Sequence, residues 1–86
     1  MMRKPFKGEI HKWCRIRSPL LTEGLGFKIV GIPVGHPTIF RWILTSEVMK
    51  MSEDYRIETL NSEYLLVGEE TCTPLAQRFL SLLVSH

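Results

Sequence analysis

The chain has 86 residues, 44% of them hydrophobic and 23% charged, with a formal net charge of +2. That length allows one domain, read here as residues 1–86, with a small core and modest stability. The composition is that of a folded globular chain rather than a disordered or collagenous one, and no apolar run of about 18 residues is present to span a membrane as a helix.

The first five residues, Met1-Met2-Arg3-Lys4-Pro5, read as a flexible basic arm. No apolar stretch follows them, so a secretory leader is not expected and the chain is read as cytoplasmic. Residues 6–17 read as a first strand. Phe6, Ile10, Cys14 and Ile16 share one parity, and Lys7, Glu9, His11, Trp13, Arg15 and Arg17 share the other. Successive side chains on a strand point to opposite faces, so a regular strand here has one apolar and one basic face. Lys12 falls on the apolar parity, which calls for a bulge near it or an edge position.

Ser18-Pro19 ends that strand, because proline restricts the residue before it. A loop with Gly24 and Gly26 leads to a second strand over 27–34, with Ile29, Val30, Ile32 and Val34 as its apolar residues. Pro33 has no N–H for a ladder, so the strand there is an edge or kinks. Gly35-His36-Pro37 is a turn. Residues 39–49 form a long third strand with a bend at Thr45-Ser46. Residues 50–54 are a polar turn.

Residues 55–67 carry the strongest strand signal, two short strands folded about Asn61-Ser62 or a four-residue loop. Asn and Ser suit a turn. Both loops put Thr59 opposite Tyr64 and Ile57 opposite Leu66, with Tyr55, Ile57, Thr59, Tyr64 and Leu66 on the inner face. The spacing then predicts a helix over 73–85. Thr73 suits the N-cap and Pro74 the first turn. Leu75, Phe79, Leu82 and Leu83 form the apolar stripe, widened by Leu80 and Val84.

These elements predict an α+β fold: about five antiparallel strands in a bent sheet or small open barrel, plus one C-terminal helix. The bent third strand and following hairpin resemble small SH3-like barrels, a likeness of architecture that implies no activity. The expected core is Ile10, Cys14, Ile16, Phe27, Ile29, Ile32, Phe40, Trp42, Leu44, Val48, Tyr55, Ile57, Tyr64, Leu66, Leu75, Phe79 and Leu82.

Charge is divided unevenly along the chain. Residues 1–41 hold eight Lys and Arg against two Glu, giving +6, and residues 42–86 hold three against seven acids, giving −4. Such a split marks either an anionic partner or two halves that compensate each other in space. The two cysteines, Cys14 and Cys72, are too few for a disulfide framework and have no metal-ligand spacing. They read as reduced, partly buried thiols, with one disulfide between them as the alternative.

No catalytic residues, metal or cofactor are indicated. His36 has no second ligand or carboxylate built around it, and a site needs geometry among several groups. Cys14 with His11 or His36 lacks a nucleophile context, and Ser46 lacks a Gly-x-Ser-x-Gly setting. Gly24/Gly26 and Gly31/Gly35 lack the order and the helix of a phosphate cradle. The chain is therefore expected to be non-enzymatic.

Two binding readings remain. The wide apolar stripe predicts a protein-binding or adaptor domain that forms a homodimer through Leu80, Leu83 and Val84. The basic parity of the first strand offers an alternative, a nucleic-acid surface of Lys7, His11, Trp13, Arg15 and Arg17. There cations would meet phosphates and Trp13 would stack on a base.

Overall fold

A twelve-residue strand, β1 (Phe6–Arg17), runs through the middle of the sheet in the computed structural model, which describes residues 4–39 and 41–71. β2 (Phe27–Val34) pairs with it antiparallel on one side. β6 (Glu63–Val67) pairs with it parallel on the other. β3 (Ile43–Leu44) lies beyond β2, and β5 (Arg56–Glu58) and β4 (Lys50–Met51) lie beyond β6. The order across the sheet is β3-β2-β1-β6-β5-β4.

The two outermost strands are successive pieces of one segment. Thr45 N donates to Ile29 O at 2.8 Å and Val48 N to Phe27 O at 2.8 Å, so the segment after β3 stays against β2. One residue later, Met49 N donates to Glu58 O at 2.7 Å and starts the pairing with β5. The segment 43–51 thus bends from one end of the sheet to the other, and the sheet curls until its ends meet. This arrangement leaves little unpaired edge. Its inside holds Ile10, Trp13, Phe27, Ile29, Ile43, Val48, Ile57, Tyr64 and Leu66.

β1 supplies both faces because it is bulged twice. Against β6, Phe6 pairs with Glu63 but Glu9 pairs with Leu65, three steps against two. Gly8 sits in that irregularity at φ +115°, and a Cβ there would lie 2.5 Å from Val34 O. Only glycine fits so close an approach in that conformation. Against β2, His11 pairs with Ile32 but Cys14 pairs with Val30, again one extra residue on β1. Lys12, at φ +49°, is that residue, and its side chain is exposed. The bulge demanded by Lys12 in the sequence is thus present.

Each bulge reverses which side chains face inward. Ile10 and Trp13 both point to the inner core, whereas Cys14 and Ile16 join Val30 and Leu44 in a second apolar cluster on the outer face. Trp13 is only 1% exposed and donates its indole N–H to Gly68 O at 3.0 Å. Thr71 N donates to Trp13 O at 2.8 Å, so the chain beyond β6 is tied back to the bulge.

The α+β expectation, an SH3-like barrel of five antiparallel strands with a C-terminal helix, is corrected. The described residues are all strand, turn and loop with no helix, and the sheet has six strands and is mixed. The parallel β1–β6 pair left no local signal, because no turn joins its strands. The helix expected over 73–85, with Leu75, Phe79 and Leu82, lies outside the described residues, as do Phe40 and Cys72. The third strand expected over 39–49 is instead the short β3 and a bend, and β4 occupies the start of the 50–54 segment expected to be a turn.

The β5–β6 turn is a two-residue loop set one residue earlier than Asn61-Ser62. Ile57 pairs with Tyr64, and Thr59 N donates to Ser62 O at 2.8 Å, so Leu60-Asn61 forms the loop. The register differs by two residues from the expected one, which preserves the faces. Ile57, Thr59, Tyr64 and Leu66 are accordingly buried, but Tyr55 is exposed. It sits at φ +62° at the end of the Ser52–Tyr55 turn, where its N–H donates to Ser52 O at 3.1 Å. Ile32 and Trp42, expected in the core, are also exposed, and Trp13, Val30 and Ile43 take places in it.

Two substitutions test the bulged strand. Gly8→Ala should lower unfolding stability by about 2 kcal/mol or more through clash and backbone strain. Trp13→Ala should cost about 3–5 kcal/mol through lost burial. Urea titrations followed by circular dichroism measure both. Wild-type stability in the alanine variant at Gly8 would show that β1 tolerates a regular strand there.

Candidate functional site

The five residues of the basic first-strand reading fall into separate places. His11 lies on the outer face, where its Nε2 is 2.8 Å from Glu9 Oε1. Lys7 lies in the first irregularity, beside Gly8, and acts electrostatically on His36. Trp13 is buried and presents no open ring face for a base. Arg15 and Arg17 share Trp13's face, because the Lys12 bulge separates them from His11. Arg15 lies over the rings of Trp13 and Phe27 at 5.8 and 5.3 Å, and Arg17 lies over Phe27 at 5.5 Å. Cations over aromatic faces are held by the ring's quadrupole.

Charge from the two halves of the chain meets across the fold. Glu70 accepts a hydrogen bond from Arg15 N at 2.8 Å and lies 3.6 Å from Arg15 Nε. Lys4 donates to Thr59 O at 2.7 Å and lies 4.0 Å from Glu58. Glu63 N donates to Pro5 O at 2.9 Å, so Lys4 and Pro5, read from the sequence as part of an arm, are docked on the β5–β6 turn.

Glu47 closes a nest of backbone donors. Its carboxylate accepts from Gly24 N at 2.8 Å, Gly26 N at 3.0 Å and Glu23 N at 3.3 Å. Partial burial pushes this carboxyl up, but the three N–H bonds and the charge of Lys28 outweigh it and hold it below the usual range. The arrangement fixes the 18–26 loop to the 45–49 bend. Sequence patterning had no means to find it, since the partners lie more than twenty residues apart.

The groups with nucleophile or base chemistry are apart from one another. Cys14 is buried in the outer cluster and donates to Arg15 O at 3.5 Å. His36 is in the turn after β2 and stacks on Tyr64, with ring centroids 6.3 Å apart and planes 15° from parallel. Its Nδ1 accepts from Thr38 N at 3.1 Å and Ile39 N at 3.0 Å. Burial and the charge of Lys7 hold its pKa below the ordinary 6.5. Burial pushes the Tyr64 phenol up, against a Ser62 hydrogen bond that lowers it. No group of three or more His, Cys, Asp or Glu able to hold a metal occurs among the described residues. No helix among them is long and apolar enough to cross a membrane.

The outer face carries several exposed apolar side chains. Ile32 and Val34 lie on it opposite His11 and Glu9 and are 37% and 48% exposed. The β2–β3 register, Gly31 with Ile43, carries Trp42 alongside Ile32, where it is 44% exposed. Leu65 and Val67 continue the same face on β6, opposite Glu9 and His11. Ile39 is exposed in the loop between β2 and Trp42. The dimer contacts expected from sequence, Leu80, Leu83 and Val84, lie outside the described residues.

Pro33 lies past the last β2–β3 pair, Gly31 with Ile43, and is buried, so its missing N–H breaks no bond of that ladder.

Comparison with known protein families, with curated proteins and with solved structures gives no match to this chain.

The Glu47 nest yields a test. A carboxylate held below its unfolded pKa contributes stability above that value and loses it as pH falls through the folded one. Glu47→Gln should therefore speed amide exchange at Gly24 and Gly26 at neutral pH, and acidification should do the same to the parent. Equal protection in both proteins would show that the loop holds without the charge.

Proposed function

We propose that this chain is a small non-catalytic protein-binding domain that works as a homodimer through the outer face of β2 and β3. The observation that carries the reading is the exposed cluster of Ile32, Val34 and Trp42 on one sheet face. Contiguous exposed aromatic and aliphatic side chains favour a protein partner, and aromatic anchors dominate such contacts. A second copy fits because a two-fold contact is self-complementary and sets Ile32, Val34 and Trp42 of one copy against those of the other. A net charge of only +2 opposes pairing weakly. Adaptor and cytoplasmic roles belong to the same proposal.

A non-catalytic role is supported by how the reactive groups are engaged. Cys14 is buried, His11 is paired with Glu9, and the Nδ1 of His36 is saturated by two backbone donors. The nucleic-acid reading receives less support, since its aromatic platform is in the core and His11 lies on the opposite face from Arg15 and Arg17.

Sedimentation velocity over the micromolar to millimolar range tests the dimer. The parent should associate, and Trp42→Ser with Ile32→Lys should be monomeric at unchanged circular dichroism. A parent that stays monomeric throughout sinks the dimer. Salt-sensitive binding to a labelled oligonucleotide, lost in Arg17→Ala with Lys12→Ala, would return the basic residues to consideration.

A further inference from the structure

We infer that the 35–39 turn is a proton-gated clasp: protonation of His36 releases the turn that holds one wall of the outer apolar face. This rests on the reading of that face as the contact surface. The turn joins Val34 to Ile39, and its inner bonds all converge on one imidazole nitrogen. Thr38 N and Ile39 N both donate to Nδ1, at 3.1 and 3.0 Å. Two donors can share that atom only while it carries a lone pair, so the neutral ring must hold its proton on Nε2. A proton on Nδ1 replaces two hydrogen bonds by two N–H groups facing a third.

Burial of the ring and the charge of Lys7 oppose its protonation further. The ring is stacked on Tyr64 from β6, whose buried phenol stays neutral through this range and supplies no counter-charge. Lys7 from β1 adds positive charge, and no carboxylate is among the groups acting on the ring. The nearest acid on β1, Glu9, is engaged by His11 on the outer face. Gly8 pins the other end of the turn by its close approach to Val34 and Gly35, so release is confined to the side of Thr38 and Ile39.

The sign follows from linkage. A histidine whose folded form prefers to be neutral stabilises its surroundings above the unfolded pKa and loses that contribution as pH falls below it. The window therefore opens below the ordinary value of 6.5. The turn is closed at neutral pH and opens under mild acid.

The experiment is a pair of pH titrations on the full chain and on His36→Asn. The Asn carbonyl can accept the same two N–H bonds without titrating. Nitrogen-15 NMR at low protein concentration should show His36 as the Nε2–H tautomer, titrating below 6.5, with the Thr38 and Ile39 amides moving along the same curve. Sedimentation should show self-association weakened about tenfold across that window in the parent, a loss of about 1.4 kcal/mol, and unchanged in His36→Asn of matched circular dichroism. A His36 that titrates at or above 6.5 with flat Thr38 and Ile39 amides overturns the clasp. Parent and His36→Asn associating alike at both ends of the range overturns the gate. A chain that is monomeric at every pH removes the dimer reading, and the amide titration alone then decides the clasp.

Discussion

The rest of this fold depends on one strand changing faces twice. β1 must pair with β2 on one side and β6 on the other, fill an inner core and seed an outer one. A regular strand cannot do this, because its side-chain period of two commits every second residue to one face. The bulges at Gly8 and Lys12 reset that period, and each also bends and twists the strand. The bending is what lets six short strands curl until the 43–51 segment spans both ends. Trp13 enters the core only because Lys12 is expelled from the ladder beside it.

The core that results is small, and polar groups hold the loops around it. Three backbone N–H groups on Glu47, two on His36 and the indole of Trp13 on Gly68 each fix a segment that buries little apolar area. Thr45 acts similarly at the bend, where its buried hydroxyl accepts from Ile29 N at 3.0 Å and donates to Ser46 O at 2.8 Å. Buried or half-buried donors left without partners are costly, so these bonds decide loop conformation more than they add net stability. Two of the three loop anchors titrate, and both lose their hold as pH falls.

The charge asymmetry of the sequence has a plain structural outcome. Basic residues of the first half lie against acids of the second, Arg15 with Glu70 and Lys4 with Glu58, and Arg56 of the second half lies over the Phe6 ring of the first at 5.3 Å. Residues that looked like one basic stripe are divided, with His11 on the opposite face from Arg15 and Arg17. The surface left conspicuous is apolar, at Ile32, Val34 and Trp42, residues that composition alone assigns to a core because large hydrophobic side chains usually lie there.

The sequence by itself determined the two long strands, the bulge at Lys12, the special position of Pro33, the bend at Thr45 and the inward set Ile57, Thr59, Tyr64 and Leu66. Each of these is written in the local chemistry of neighbouring residues: alternation, a charge on the wrong parity, a missing N–H, a turn-forming pair. It also carried the cation-rich first strand, but not that the strand would reverse its faces between His11 and Cys14. Only the tertiary structure decided the parallel β1–β6 pairing, the burial of Trp13, the exposure of Ile32 and Trp42, and the acceptor roles of His36 and Glu47. Those outcomes depend on which residues distant in the chain are brought together. A bulge turns a one-residue offset into the opposite assignment of every side chain that follows, and local pattern holds no record of where the partner strand will sit.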